Sequence, residues 1–167
     1  MRVAIDAHAL GRGQAGYESY LRHLTAALPE VFPEGEFLLY RDLSPARLLR
    51  LIYDLPRRLY RDHPDVLHVQ YASPLLPLSG GCVLVATVHD VSFVDHPEFF
   101  SLPDLLALRL GVARTIRLAK RVVTVSEFSK RRLMAAYGIP EQKIVVDRKS
   151  TRLNSSHIQK SRMPSSA

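Results

Sequence analysis

The chain is short of several things at once, and each shortage closes off a class of protein. It holds a single cysteine, Cys82, so no internal disulfide can staple it and burial must carry the fold. One cysteine also fits a reducing, cytoplasmic compartment. At the head of an apolar strand, Cys82 reads as a small buried hydrophobe rather than a nucleophile. No run of about 18 apolar residues occurs, which leaves nothing to form a transmembrane helix. The N-terminal stretch MRVAIDAHAL is interrupted by Arg2 and Asp6 and reads as a first strand, not a signal peptide. There is no internal repeat and no G-x-S-x-G nucleophile elbow. His8, His63, His68, His89 and His96 are scattered without the paired spacing of zinc sites, so neither a metal nor a cofactor is expected.

Positive charge is abundant, but most of it sits at one end. Of the formal net charge of +7, residues 147–167 contribute Arg148, Lys149, Arg152, Lys160 and Arg162 against Asp147, leaving +3 for residues 1–146. The stretch DRKSTRLNSSHIQKSRMPSSA has no apolar period of either strand or helix, and the character of the chain changes within one residue. It resembles translated sequencing-adapter DNA, matched in frame over 147–157 and 161–167 on either side of a variable index. We therefore treat 147–167 as a non-native, disordered tail on a truncated gene product; a natural Ser/Lys/Arg-rich tail is the alternative. Without it, little remains of the Lys/Arg clustering that marks phosphate-backbone binding, and no nucleic-acid partner is expected.

Residues 1–146 make one ordinary domain. Apolar strands at 2–7, 36–40, 65–70, 82–88 and 121–125 alternate with helices at about 16–28, 46–61, 103–120 and 127–137. Pro29, Pro33 and Gly35 are expected to end the first helix, Ser44-Pro45 to cap and open the second, and Pro56 to interrupt or kink it. Near-continuous Val/Leu/Ile strands separated by helices predict an α/β, Rossmann-like parallel sheet with helices on both faces.

In such a sheet the ligand crevice lies outside the carboxyl ends of the strands. Strand 82–88 ends in His89-Asp90, and strand 121–125 ends in Ser126-Glu127 at the start of a helix. His89 is a candidate for direct chemistry or a satisfied bystander. Asp90 ties down its loop, caps the next turn or contacts substrate. Ser126 caps the helix or contacts substrate. The loop Gly11-Arg12-Gly13-Gln14-Ala15-Gly16 matches G-x-G-x-x-G, but three residues separate it from the strand and no carboxylate closes the second strand. It is either a phosphate loop at a helix N-terminus or a tight turn without a ligand.

The order and spacing of these pieces resemble one family. The first strand ending in Asp6-Ala7, the loop GRGQAGY, then HVQYASPLLP, TVHDVSFVDHPEFF, TVSEFSKRRL and YGIPEQKIVV look like the N-terminal, acceptor-side domain of a family 4 glycosyltransferase of the GT-B fold, over about residues 1–146. The resemblance implies a retaining enzyme that moves a hexose from a nucleotide-sugar to a saccharide or lipid-linked acceptor. A second domain would be expected beyond Val146, without which the chain would be inactive. It also implies that His89 faces the transferred sugar, donating a hydrogen bond and orienting it, and that Gly13 and Gly16 border the donor diphosphate and acceptor. Without D-x-D, the Mg or Mn dependence of GT-A enzymes is not indicated. The alternative reading is a stand-alone nucleotide- or dinucleotide-binding Rossmann module.

Two helices mix arginines with leucines, at 46–61 and 105–121. Each is either a sheet-packing helix with a solvated basic face or a surface for anionic lipid, which makes peripheral contact with the inner membrane face through 46–61 an expectation to test.

Overall fold

The computed structural model describes residues 1–147 apart from Gln14 and Ser79. The tail assigned above to 147–167 thus lies outside the described residues except for Asp147, whose N–H bonds the Thr124 carbonyl at 2.7 Å.

Six parallel strands form the sheet: β1 (Arg2–Asp6), β2 (Glu36–Tyr40), β3 (Val66–Gln70), β4 (Val83–Thr87), β5 (Arg121–Thr124) and β6 (Ile144–Val146). Their order is β2-β1-β3-β4-β5-β6. The chain leaves β1 toward one edge and, after returning across β1 to β3, builds toward the other. The topological switch point therefore falls between β1 and β3, where doubly wound sheets open their ligand crevice. Register places Ile5 beside His68 and Gln70 beside Thr87.

Side-chain alternation divides the sheet into two faces. Val3, Ile5 and Val66 pack with Leu21 of α1 (Ala15–Val31). Ala4, Leu67, Leu84 and Val122 face the other way, into a core with Leu55 and Leu59 of α3 (Leu55–Asp62), Val112 and Ile116 of α5 (Leu102–Leu118), and Leu133 of α6 (Glu127–Tyr137). Helices thus lie on both faces, with α1 the only helix on its own face among the described residues. Beyond its reach, Val83 and Val145 stay 40% and 49% exposed on that side. Between β4 and α5, the short α4 (Ser92–Asp95) is tied to α6 by an Asp95–Arg132 ion pair.

Two local expectations change, and the interruption expected at Pro56 falls just before it. The first helix does not stop at Pro29 but runs to Val31, with Phe32 N–H bonding Leu28 O at 2.9 Å. A proline in the last turn removes one backbone donor without stopping its neighbours from closing theirs. Ser44 is not a helix cap: α2 (Arg47–Leu49) starts after Ala46, while Ser44 Oγ accepts from Ala46 N–H and its own N–H goes to Asp54 Oδ2. That short side-chain turn competes with a cap for the same hydroxyl. Pro56 interrupts the helix from upstream. Residues Arg50–Asp54 form a π-helical turn closed by Leu55 N–H to Arg50 O, and α3 then starts with proline in its first turn. The looser spacing relieves the clash of the proline ring with the preceding turn, and such turns often mark functional sites.

Candidate functional site

At the carboxyl edge of the sheet, β1, β3 and β4 present Asp6, Gln70 and His89. Asp6 is buried. Its Oδ1 accepts from His8 N–H at 3.3 Å and from the His8 ring Nδ1 at 2.8 Å, and its Oδ2 lies 3.8 Å from Arg50 Nε.

His89 is half-buried. Its Nε2 lies 3.1 Å from Gln70 Oε1, and its ring is packed by Tyr20 at 4.9 Å, Tyr17 at 5.0 Å and Tyr71 at 5.9 Å between centroids. Burial among these rings pulls the imidazole down to about 4, against the pull of Asp90, so it is neutral near pH 7. Donation of Nε2–H to Gln70 leaves Nδ1 as an acceptor. In the other tautomer Nδ1 carries the proton and donates, the sense expected above. Its backbone is pinned as well: Ser129 Oγ donates to the His89 carbonyl at 3.0 Å.

Tyr71 turns the corner after β3 with φ of 60°, a left-handed backbone that a bulky residue adopts at a cost of roughly 1–2 kcal/mol. The bend sets its ring beside His89 and Tyr17, and its hydroxyl donates to Asp90 Oδ2 at 3.3 Å while accepting from Asp90 N–H at 3.3 Å. Burial drives the phenol well above the ordinary tyrosine range, so it stays protonated. Asp90 also accepts from Ser92 N–H at 2.9 Å. The loop-tying role is therefore present in the structure, on the rim of the crevice.

A cavity of about 810 Å³ opens at this edge, with His8, Tyr17, Arg50, Gln70, Tyr71 and Asp90 at its polar end. Toward α5 it is lined by Leu48, Leu75, Phe100, Leu108 and Leu110. His89 stands behind this wall, touching Gln70, Tyr17 and Tyr71. The loop 73–75 is fastened to α5 by Arg114, which donates to Ser73 Oγ, Pro74 O and Leu75 O.

The other sequence candidates sit outside the cavity wall. Ser126 caps α6, accepting from Ser129 N–H at 3.0 Å and donating to Ser129 Oγ, so it acts on His89 through its neighbour. Gly13 has φ of 71°, a left-handed turn position that glycine adopts without strain, and its N–H donates to Glu18 Oε2 at 3.2 Å. Gly16 lies exposed in the first turn of α1 with open space where a Cβ would be. A carboxylate thus occupies the loop donors that a phosphate would use.

Sequence reasoning missed Gln70, Tyr71, Arg50, Ser129 and the buried His68. Gln70 was within reach of the rule that found His89, because it too is a polar residue at the carboxyl end of an apolar strand. Arg50 carried no such signal; its burial depends on the π-helical turn. Among the described residues no cluster of three His, Cys, Asp or Glu side chains is arranged to hold a metal ion, and no helix is long and apolar enough to cross a membrane.

A parallel sheet of this order, with helices on both faces and a polar crevice at the carboxyl edge beside its switch point, is Rossmann-like and matches one half of a GT-B fold. The sequence profile of Glycosyltransferase Family 4 matches residues 7–146, and the chain belongs to that family. No curated protein matches the chain significantly.

Proposed function

We propose that the protein supplies the acceptor side of a retaining glycosyltransferase, which moves a hexose from a nucleotide-sugar to a saccharide or lipid-linked acceptor. The observation that carries this reading is His89: a neutral imidazole fixed by Gln70, three aromatic rings and Ser129, at the carboxyl edge where family members bind sugar. With Nε2–H held by Gln70, Nδ1 is available to accept a sugar hydroxyl. The group orients its partner without competing for protons, and fixed dipoles of this kind stabilise charge as it develops at the anomeric carbon. Asp90 borders the same rim, and Gly13 and Gly16 would approach the donor diphosphate once Glu18 gives way. The nucleotide-sugar is a substrate in this scheme; no resident cofactor or metal takes part.

The test is His89→Ala in the two-domain enzyme. Loss of the contact lowers kcat by about 10²-fold, on the order of 3 kcal/mol of transition-state stabilisation, while thermal unfolding stays close to that of the parent. Turnover within about twofold of the parent would remove His89 from the reaction.

A further inference from the structure

Arg50 is not accounted for by the reading above. It is 7% exposed and lines the cavity, yet its guanidinium donates no hydrogen bond to any described residue, and its Nε is buried without a partner. Asp6 Oδ2, at 3.8 Å, is too far for a hydrogen bond, and Asp6 Oδ1 already serves His8. An arginine cannot shed its proton to escape burial; the Asp6 carboxylate offsets its charge, but the buried Nε–H stays unsatisfied until an acceptor in the cavity meets it.

Arg47, three residues earlier on the same helical segment, lines the same cavity half-buried and makes no side-chain hydrogen bond or ion pair with any described residue. The other cations near them are already engaged. Arg12 donates to Leu43 O at 2.8 Å, and Arg114 holds the 73–75 loop. The neighbouring carboxylates are engaged too: Asp54 accepts from Ser44 N–H, and Asp90 is bound to Tyr71 and Ser92. Two guanidinium groups therefore share one cavity with an apolar lining of leucines and Phe100. Guanidinium matches phosphate oxygens in pairs, and the apolar wall suits neither a bare anion nor a free sugar.

We infer that this cavity binds an acceptor carrying a phosphate group on an apolar body, with Arg50 and Arg47 clasping the phosphate and Leu48, Leu75, Phe100 and Leu108 receiving the apolar part. The inference rests on the glycosyltransferase reading for the word acceptor; the ligand chemistry stands on the cavity alone.

Calorimetry on the purified 167-residue chain tests it with four probes: hexyl phosphate, inorganic phosphate, hexyl glucoside and a nucleoside diphosphate. Hexyl phosphate binds at least about tenfold more tightly than inorganic phosphate or hexyl glucoside, because each of those satisfies only one end of the site. Arg50→Gln and Arg47→Gln each weaken hexyl phosphate by about tenfold or more and leave hexyl glucoside unchanged. Arg47 is half-buried and unpartnered, so its variant folds even if that of Arg50 does not. Unchanged hexyl phosphate affinity in Arg47→Gln overturns the site. Equal binding of inorganic phosphate overturns the apolar body, and a nucleoside diphosphate that displaces hexyl phosphate from the two arginines overturns the acceptor assignment. Each of these failures leaves sugar transfer by the two-domain enzyme, and its dependence on His89, untouched. Conversely, a two-domain enzyme without transfer activity would sink the proposed function while the phosphate site stood.

Discussion

Lowering the pH should unfasten this domain at one identifiable residue. His68 is buried on the α1 side of β3, with Nε2 2.7 Å from Thr87 Oγ1, and that hydroxyl also meets Tyr20 OH at 3.0 Å. Burial holds the imidazole down from 6.5 to about 4; Asp6 opposes the shift and His89 adds to it. In the unfolded chain the ring takes a proton near pH 6.5, well before it can do so in the fold. The stability tied to a neutral His68 is therefore complete above about pH 6.5 and lost as pH falls from there toward 4. A gap of about 2.5 units corresponds to about 3 kcal/mol, a large part of the roughly 5–15 kcal/mol that holds a domain together. Urea unfolding at pH 7 and at about pH 4.5, for the parent and for His68→Gln, isolates this term, because carboxylates and His89 titrate in both proteins. Glutamine keeps an amide within reach of Thr87. The parent should lose about 2 kcal/mol more than the variant across that interval. Parallel losses, equal within about 0.5 kcal/mol, would mean that His68 accepts its proton in the folded state and that the buried Tyr20–Thr87–His68 arrangement is wrongly described.

Three further outcomes follow from the geometry. Glu18 is held below the ordinary carboxylate range by the N–H of Gly11 first, then by Arg22 and the N–H of Gly13; Glu18→Gln should therefore strengthen pyrophosphate binding by about tenfold, and an unchanged affinity would leave the glycine loop a turn with no ligand. Ser126→Ala removes the cap of α6 and should cost about 1 kcal/mol in urea unfolding; no measurable loss would deny it even that role. Leu51, Leu55 and Leu59 are buried while Leu48, Leu49, Ile52 and Tyr53 are exposed beside Arg47 and Arg57, so co-sedimentation with anionic vesicles should exceed that with neutral ones and fall with salt, and equal sedimentation would end the membrane proposal.

Five of the six strands were readable because each is a short apolar run closed by a polar or glycine-containing segment, whereas the three-residue β6 (Ile144–Val146) was too short to read as one; His89 was readable because it ends such a run. Helix boundaries were less so. Pro29 and Pro56 are local signals, whereas helix continuation depends on how many neighbouring donors still find carbonyls. Ser44 carried a cap's identity but gave its oxygen to a two-residue turn. The cavity was invisible for a different reason: its polar end joins Arg47 and Arg50 from one helix with Gln70, Tyr71 and Asp90 from two strand ends, and no spacing in the chain encodes that meeting. Burial of Arg50 in particular follows from the π-helical turn, which itself answers to Pro56 downstream. His68 looked like one more scattered histidine because the sequence does not say which face of β3 the α1 helix covers.

The acceptor-side assignment is tested most directly by offering the purified 167-residue chain a panel of nucleotide-sugars together with hexyl phosphate, while following nucleotide release and heat of binding. If the chain supplies the acceptor wall, as proposed, a second surface is needed to position both substrates, and positioning can account for roughly 7–11 kcal/mol of a barrier. The account predicts no steady nucleotide release and only weak donor binding that does not distinguish one sugar from another. Sustained release, or micromolar binding selective for one nucleotide-sugar, would contradict it.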